Sequence, residues 1–309
     1  MGRPTVDIIV PVYNTGSVIE RCVESIVSQL GIRETHYNII LVDDGSDSET
    51  CAHLNKLQEL YNVSVVRHSS NRGRSAAINT GVSKGSSDTV IILDADCIWA
   101  SKIVFNSFLS KVLDDGYEIC FGLTSATGQG FWQRLNAEVC KKRAKGEISR
   151  QTTANFAITR SSLEKAGKFS EDYKGYGFED KDLIARLSKM GLKYCVNPSC
   201  LAYHDVSSTD IYIVSKKYFE AGRITAQKFN EKHPEAYRKT MYSLFDSEHR
   251  SIVTKVILDI LVLGLPLLMA STSYSLKSNV IPFLVKKCFV NATLILSFYK
   301  GTKSRQSLD

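Results

Sequence analysis

An α/β fold with a mostly parallel sheet flanked by helices is what this sequence of 309 residues predicts, and three observations carry that expectation. Short apolar runs alternate with stretches of helical periodicity from residue 7 to about residue 100, the pattern of repeated strand-helix-strand units. The runs, such as Val90-Ile91-Ile92-Leu93, are apolar throughout instead of alternating, as strands covered on both faces are. Three of them stop abruptly in polar clusters: Pro11 to Asn14, Asp43 to Ser46 and Asp94 to Asp96. Right-handed crossovers would bring those ends to one rim, and ligands gather beyond the carboxyl ends of such strands.

Residues 7 to 14 read as the first strand, which must stop or bulge at Pro11 because proline cannot donate to a ladder. Ser17 with Glu20 reads as a capping box, and Val18, Ile19, Cys22, Val23, Ile26, Val27 and Leu30 recur at helical spacing as far as Gly31. A strand over 37–42, a helix over 48–60 and a strand over 63–67 follow. The turn Asn71-Arg72-Gly73-Arg74 then opens a helix of small residues, and 89–93 is the next strand. Further on, strands are read from Ile119, over 152–158 and over 192–196, with helices over 131–145, from Ser162 and over 182–190. The basic end of the 131–145 helix reads as a solvated face.

The apolar run ending at Leu93 delivers two carboxylates, Asp94 and Asp96, to the mouth of the sheet. Paired buried carboxylates need a counter-charge, and oxygen ligands suit hard cations such as Mg²⁺ or Mn²⁺; the bland alternative is a solvated turn. Arg72 or Arg74 could neutralise a phosphate. No G-x-G-x-x-G follows the first strand, which argues against a dinucleotide site. In Gly175-Tyr176-Gly177-Phe178-Glu179-Asp180-Lys181-Asp182, three carboxylates crowd the start of a helix. The helix dipole favours acids there, but a helix N-terminus also fixes a general base rigidly, and all three cannot be caps. His204 is a lone imidazole after a strand, a pattern that is more often structural.

With 43% hydrophobic and 23% charged residues, the composition is globular and argues against global disorder. Of the formal net charge of +7, +5 falls from Ser251 onward, where seven Lys/Arg face two Asp, so an anionic membrane surface is a better partner than nucleic acid. The eight cysteines form no C-x-x-C pair and read as buried thiols in a reducing compartment. Asp7 interrupts the first apolar run, so no signal peptide is expected and the body is placed in the cytoplasm.

In order along the chain, Pro11-Val12-Tyr13-Asn14, Asp43-Asp44-Gly45-Ser46, Asn71-x-Gly73, Asn79-x-Gly81, Asp94-x-Asp96, Asn155-Phe156, Gly177-Phe178-Glu179-Asp180 and His204 resemble glycosyltransferase family 2, over residues 6 to about 205. The resemblance implies the GT-A fold and a metal-dependent inverting transfer from a nucleoside-diphosphate sugar, in the first instance UDP-linked, to a saccharide or lipid-linked acceptor in cell-surface polysaccharide synthesis. It implies nucleotide contacts at Pro11, Tyr13, Asp43, Arg72 and Asp94, and metal contacts at Asp96, His204 and Asp94. It further implies acceptor or donor-sugar contacts at Asn155, Glu179 and Gly177, with Asp180 as the catalytic base. Arg74 receives no role. A nucleotidyl- or phosphotransferase on the same rim, or a non-catalytic scaffold that binds a nucleotide-sugar, is the alternative.

The expected organisation is a catalytic domain over 1–205, with a nucleotide half over 1–100 and an acceptor half over 101–205. A helical extension over 206–250 and hydrophobic-basic helices over 251–309 follow. Val256 to Ala270 is an apolar stretch of about 22 Å as a helix, short of a ~30 Å hydrocarbon core, and Pro266 would kink it. Lys286-Lys287 splits the run 280–298. Residues 251–300 are expected to lie on the inner face of the cell membrane; packing on the body or in a homo-oligomer, and true spans, are the competing readings.

Overall fold

The computed structural model describes residues 5–31, 36–206 and 209–305. The apolar runs pair into a single eight-stranded sheet: β1 (Thr5–Val12), β2 (His36–Asp43), β3 (Val63–Arg67), β4 (Thr89–Leu93), β5 (Cys97–Trp99), β6 (Ile119–Ser125), β7 (Asn155–Thr159) and β8 (Tyr194–His204). Their spatial order is β3-β2-β1-β4-β7-β6-β8-β5. The four strands β3, β2, β1 and β4 are mutually parallel, as the repeated units require. The sheet as a whole is mixed, because β7 runs antiparallel to both β4 and β6, and β5 antiparallel to β8.

Helices α1 (Val18–Val27), α2 (Ser48–Leu60) and α3 (Arg74–Lys84) make the first crossovers, and α4 (Val104–Leu109), α5 (Phe131–Arg143), α6 (Arg160–Lys165) and α7 (Glu179–Lys189) lie in the second half. Each sheet face carries its own core. Ile8, Val10 and Leu41 pack with Ile19, Val23 and Ile26 of α1 and with Phe105 and Phe108 of α4. Ile9 and Ile92 pack on the other side with Ile78 and Val82 of α3 and Leu183 and Leu187 of α7. Both faces of β1 are therefore dry, which explains its unbroken hydrophobicity.

Two local expectations change. β1 continues through Pro11, which pairs with Val42 of β2; the ladder with β4 has already ended at Ile9–Ile92, so the missing N–H falls where β1 has only one neighbour. Ser17 makes no side-chain cap to α1, and Glu20 turns instead to His53 and Lys56 of α2, at 2.8 and 2.9 Å. Asp7, the acid inside β1, is completely buried. It accepts hydrogen bonds from Asn38, from Ser87 and from the Arg160 guanidinium at 2.7 Å, so the buried charge is paired.

The chain divides into two compact units: Met1–Glu171 with Leu183–Val206, and Asp172–Asp182 with Ser207–Asp309. The division falls inside α7, so the acidic turn at 177–182 belongs to the second unit. That unit is helical: α8 (Ile211–Glu220), α9 (Ala226–Lys232), α10 (Pro234–Arg238), α11 (Ile252–Leu263), α12 (Leu265–Lys277) and α13 (Phe283–Lys303). Positions 207 and 208, at the start of the expected extension, lie outside the described residues. A π-turn over Ala221–Thr225 links α8 to α9, and there α13 crosses at backbone contact. A Cβ on Gly222 would meet the Phe298 carbonyl oxygen at 2.3 Å, and one on Gly301 the Phe219 carbonyl oxygen at 2.1 Å. Beside the crossing, Ser215 and Ser297 share a hydrogen bond of 2.5 Å. Phe178, Phe229, Tyr237, Tyr242 and Phe298 form an aromatic core with ring centroids 5.0–6.4 Å apart.

Candidate active site

At the carboxyl ends of β1 and β4 the first unit opens a cavity of about 260 Å³, whose lining includes Pro11, Tyr13, Asp44, Arg74, Asp94 and Asp96. Tyr13 is half exposed, so one aromatic face is available to a flat ligand. The floor comes from the turn that starts α3. Asp44 accepts hydrogen bonds from the backbone N–H of Arg72 (2.9 Å) and of Gly73 (2.8 Å), and its Oδ1 meets His68 Nδ1 at 2.7 Å. His68 in turn contacts the Thr80 hydroxyl at 2.9 Å. This network holds the backbone of the turn and sets Arg74 as the first residue of α3.

Arg74 reaches from there to Asp94, donating from Nε (2.9 Å) and from a terminal nitrogen (2.7 Å) to Oδ1, and also donates to the hydroxyl and carbonyl of Thr153. Its guanidinium carbon stands 5.7 Å from the centre of the Phe169 ring. The Asp94 charge is thereby countered within the protein. Asp96 faces differently: its Oδ2 lies 2.8 Å from His204 Nε2, across 108 residues of sequence. The antiparallel ladder between β5 and β8 closes that gap, since Cys97 is opposite His204 in register and Asp96 immediately precedes Cys97. Burial pushes the Asp96 carboxyl up, but the hydrogen bond and charge of His204 outweigh it and hold the carboxyl below its usual range.

Asp96 and His204 offer one carboxylate and one imidazole, a mixed oxygen and nitrogen pair that suits a transition ion such as Mn²⁺ better than Mg²⁺, which prefers oxygen alone. Among the described residues no three His, Cys, Asp or Glu side chains are grouped to hold an ion by themselves. Asp96 and His204 would therefore hold a divalent cation with two protein ligands, leaving the rest of its shell to a bound ligand and water. Asp94 is engaged by Arg74 through Oδ1.

Three other expected contact residues are not among the cavity lining. Asn155 is 1% exposed; its amide donates to the carbonyls of Leu123 (3.1 Å) and Cys200 (2.9 Å) and accepts from Trp99 Nε1 (3.1 Å), so it stitches the sheet. Asp43 and Asp44 are both 2% exposed; Asp43 meets the Ser46 N–H (2.9 Å) and Arg67 (3.4 Å), and Asp44 is the one in the cavity lining. Arg72 points to Glu171 at 3.2 Å on the surface, and Arg74 is the arginine at the rim. Sequence reasoning also missed His68 and Thr153, which act only through tertiary contacts; the one available signal was the place of Arg74 at the start of a helix.

Gly177, Glu179 and Asp180 lie in the second unit. Gly175, Gly177 and Phe178 all take positive φ (116°, 90° and 69°), and the Phe178 ring, seated against Phe229, Tyr237 and Tyr242, holds that strained turn in place. Glu179 and Asp180 are the first two residues of α7 and are partly exposed. Asp182 is the structural acid of the three: it is buried and bound to the Tyr173 hydroxyl (3.2 Å) and His233 Nε2 (2.9 Å).

Comparison with known proteins gives this rim its class. Residues 7–170, slightly more than half of the chain, match the family model for glycosyl transferase family 2, and residues 133–210 match the N-terminal domain of galactosyltransferase. The chain belongs to glycosyltransferase family 2. It is 36% identical over 206 residues to glycosyltransferase GlyG of Streptococcus pneumoniae serotype 4, covering 61% of this chain and 66% of that protein. It is 32% identical over 134 residues to an undecaprenyl-phosphate 4-deoxy-4-formamido-L-arabinose transferase of Serratia proteamaculans, covering 43% of this chain and 40% of that protein. The chain spans about a third to a half of the length of several other curated relatives it matches. Among solved structures, the mannosyltransferase PcManGT of Pyrobaculum calidifontis, in complex with GDP-Man and Mn²⁺, shares the fold with a TM-score of 0.65 at 17% identity, over 98% of this chain and 87% of that one.

Proposed function

We propose that this glycosyltransferase moves a sugar, with inversion at the anomeric carbon, from a nucleoside-diphosphate donor to a hydroxyl of a saccharide or lipid-linked saccharide in cell-surface polysaccharide synthesis. The observation that carries the reading is the rim itself: an exposed aromatic at Tyr13, an arginine-braced carboxylate at Asp94 and Asp96, which is paired with His204, line one cavity. In this reading the base stacks near Tyr13 and Pro11, and the diphosphate lies toward Asp96. A divalent cation held by Asp96 and His204 would offset charge growing on the leaving diphosphate. Asp180, fixed at the start of α7, takes the proton from the acceptor hydroxyl. As that oxygen bonds to the anomeric carbon from the opposite face, the bond to the diphosphate breaks. The undecaprenyl-phosphate named for one relative supports a lipid-linked acceptor, and the GDP-Man and Mn²⁺ bound by PcManGT support a nucleotide-sugar donor and a divalent metal.

A thermal-shift panel of UDP- and GDP-sugars with and without Mn²⁺ tests donor and metal together, because a ligand that binds only the native state raises the melting temperature. One nucleotide class is expected to stabilise the protein, and more strongly with Mn²⁺; no shift with any nucleotide-sugar would defeat the assignment of the cavity. Asp180→Asn should keep that shift and lower turnover by about 10²- to 10⁴-fold, the range of a general base, whereas near-normal turnover would remove Asp180 from the role. The product anomer read by NMR decides inversion.

A further inference from the structure

The helices α11 and α12 expose much of their apolar surface. α11 buries no residue at all, and Ile252 and Leu263 are 80% and 82% exposed. α12 turns Thr272 and Ser275 inward beside Leu265, while Leu267 and Tyr274 stand about three-quarters exposed. Inside, hydroxyls meet hydroxyls: Thr272 bonds to Thr293 of α13 at 2.9 Å, as Ser215 of α8 does to Ser297. A helix that packs in water shows the reverse distribution, and a contiguous exposed apolar surface marks an interaction site. Small and hydroxyl residues between helices with aliphatic residues outside is the packing favoured in lipid. The one acid of α11, Asp259, is turned onto α13, where Lys303 (2.7 Å) and the Tyr299 hydroxyl (2.9 Å) hold it.

Among the described residues no single helix is long and apolar enough to cross a membrane, but α11 and α12 together are, with a bend of 61° between them. At 1.5 Å per residue the arms are about 18 and 20 Å long, so the bend stands about 10 Å off the line joining their far ends. Interfacial helices bury their apolar face to roughly that depth, about 5–10 Å. Leu263 and Leu267 flank the bend, and Lys255 and Lys277 lie toward the outer ends of the arms, where phosphate headgroups would stand. We infer that α11 and α12 form a shallow wedge that docks into an anionic lipid bilayer, with the bend at Gly264 among the acyl chains. A second copy of the chain fits less well. Residues 251–300 carry five lysines against the single, already paired Asp259, and a two-fold interface would set those lysines against their own copies.

Flotation of the full chain with phosphatidylcholine vesicles, with and without phosphatidylglycerol, tests the wedge independently of any transfer activity. Wild type is expected to float with phosphatidylglycerol vesicles and to lose about fivefold in binding for each of Lys255→Gln and Lys277→Gln. The double variant L263D/L267D should stay in the soluble fraction with an unchanged circular dichroism spectrum and melting temperature. If it melts early, Leu263→Cys in a Cys288→Ser background, carrying a polarity-sensitive dye, replaces it, and a blue shift on adding vesicles supports insertion. Failure of wild type to float, equal flotation of the double variant, an unshifted dye, or a wild-type dimer that the double variant breaks without any vesicle binding would each overturn the inference.

Discussion

Arg74 is the residue on which the rim turns, because four of its hydrogen bonds and the face of Phe169 converge on one planar guanidinium that pins Asp94. Lysine cannot reproduce a fork of that geometry. Losing charge-assisted bonds worth about 1.5–3 kcal/mol should weaken donor binding by roughly 10- to 100-fold in both Arg74→Ala and Arg74→Lys, read by calorimetric titration. Arg72→Ala removes only an exposed pair with Glu171 and should change donor affinity and stability little, within about 1 kcal/mol. A larger loss at position 72 than at 74 would reverse the assignment. The sequence shows two arginines one residue apart with nothing to rank them. The choice is made by the Asp44 and His68 network, which fixes the turn and so the direction in which α3 begins.

At the scale of elements, the short ladder between β5 and β8 delivers His204 to Asp96, and the crossing of α13 over the α8–α9 junction fixes the helical unit. Neither is legible locally. β5 is three residues long, and β8 runs through Pro198, where sequence reasoning sees an interruption. The crossing depends on two glycines 79 positions apart whose partners are backbone oxygens. Gly301→Ala would force a methyl group to 2.1 Å from the Phe219 carbonyl oxygen, so α8 and α13 must part. A destabilisation of about 1–3 kcal/mol is expected from such overpacking, measured as a lowered midpoint in urea. An unchanged midpoint would mean that the crossing is looser than this geometry requires.

At the scale of the whole molecule, stability is tied to pH through the end of the described chain. Arg305 clamps both oxygens of the fully buried Asp246, at 3.0 and 2.7 Å, and the Tyr237 hydroxyl adds a third bond at 2.5 Å. Burial pushes the Asp246 carboxyl up, but Arg305 and Tyr237 outweigh it and hold it below its ordinary value. A carboxyl depressed in the folded state stabilises the protein above its unfolded pKa of about 3.9, and that stabilisation is lost as pH falls through the folded value. Asp246→Asn removes the buried carboxylate and leaves Arg305 with only the half-exposed Glu248, at 2.7 Å, as its charge partner, which should cost about 1–3 kcal/mol at pH 7. In urea melts the gap between wild type and variant should be constant from pH 7 down to about 4 and narrow below it. A gap that widened on acidification would show that the pair opposes folding.

By itself the sequence determined the alternation of strands and helices, the apolar strands buried on both faces, and the arrival of Pro11, Tyr13, Asp94 and Asp96 at one rim, because periodicity and strand polarity are local properties that register with the backbone. It also carried the ordered motifs by which the family resemblance was drawn. Only the tertiary structure decided that Asp44 and not Asp43 lines the cavity, that Asn155 is consumed inside the sheet, and that α12 turns Thr272 and Ser275 inward and Leu267 and Tyr274 out. The physical reason is the same in each case. Residue type fixes what a side chain can bond to, but which way it faces, and whether its partner is water, protein or lipid, is set by neighbours that are remote in sequence.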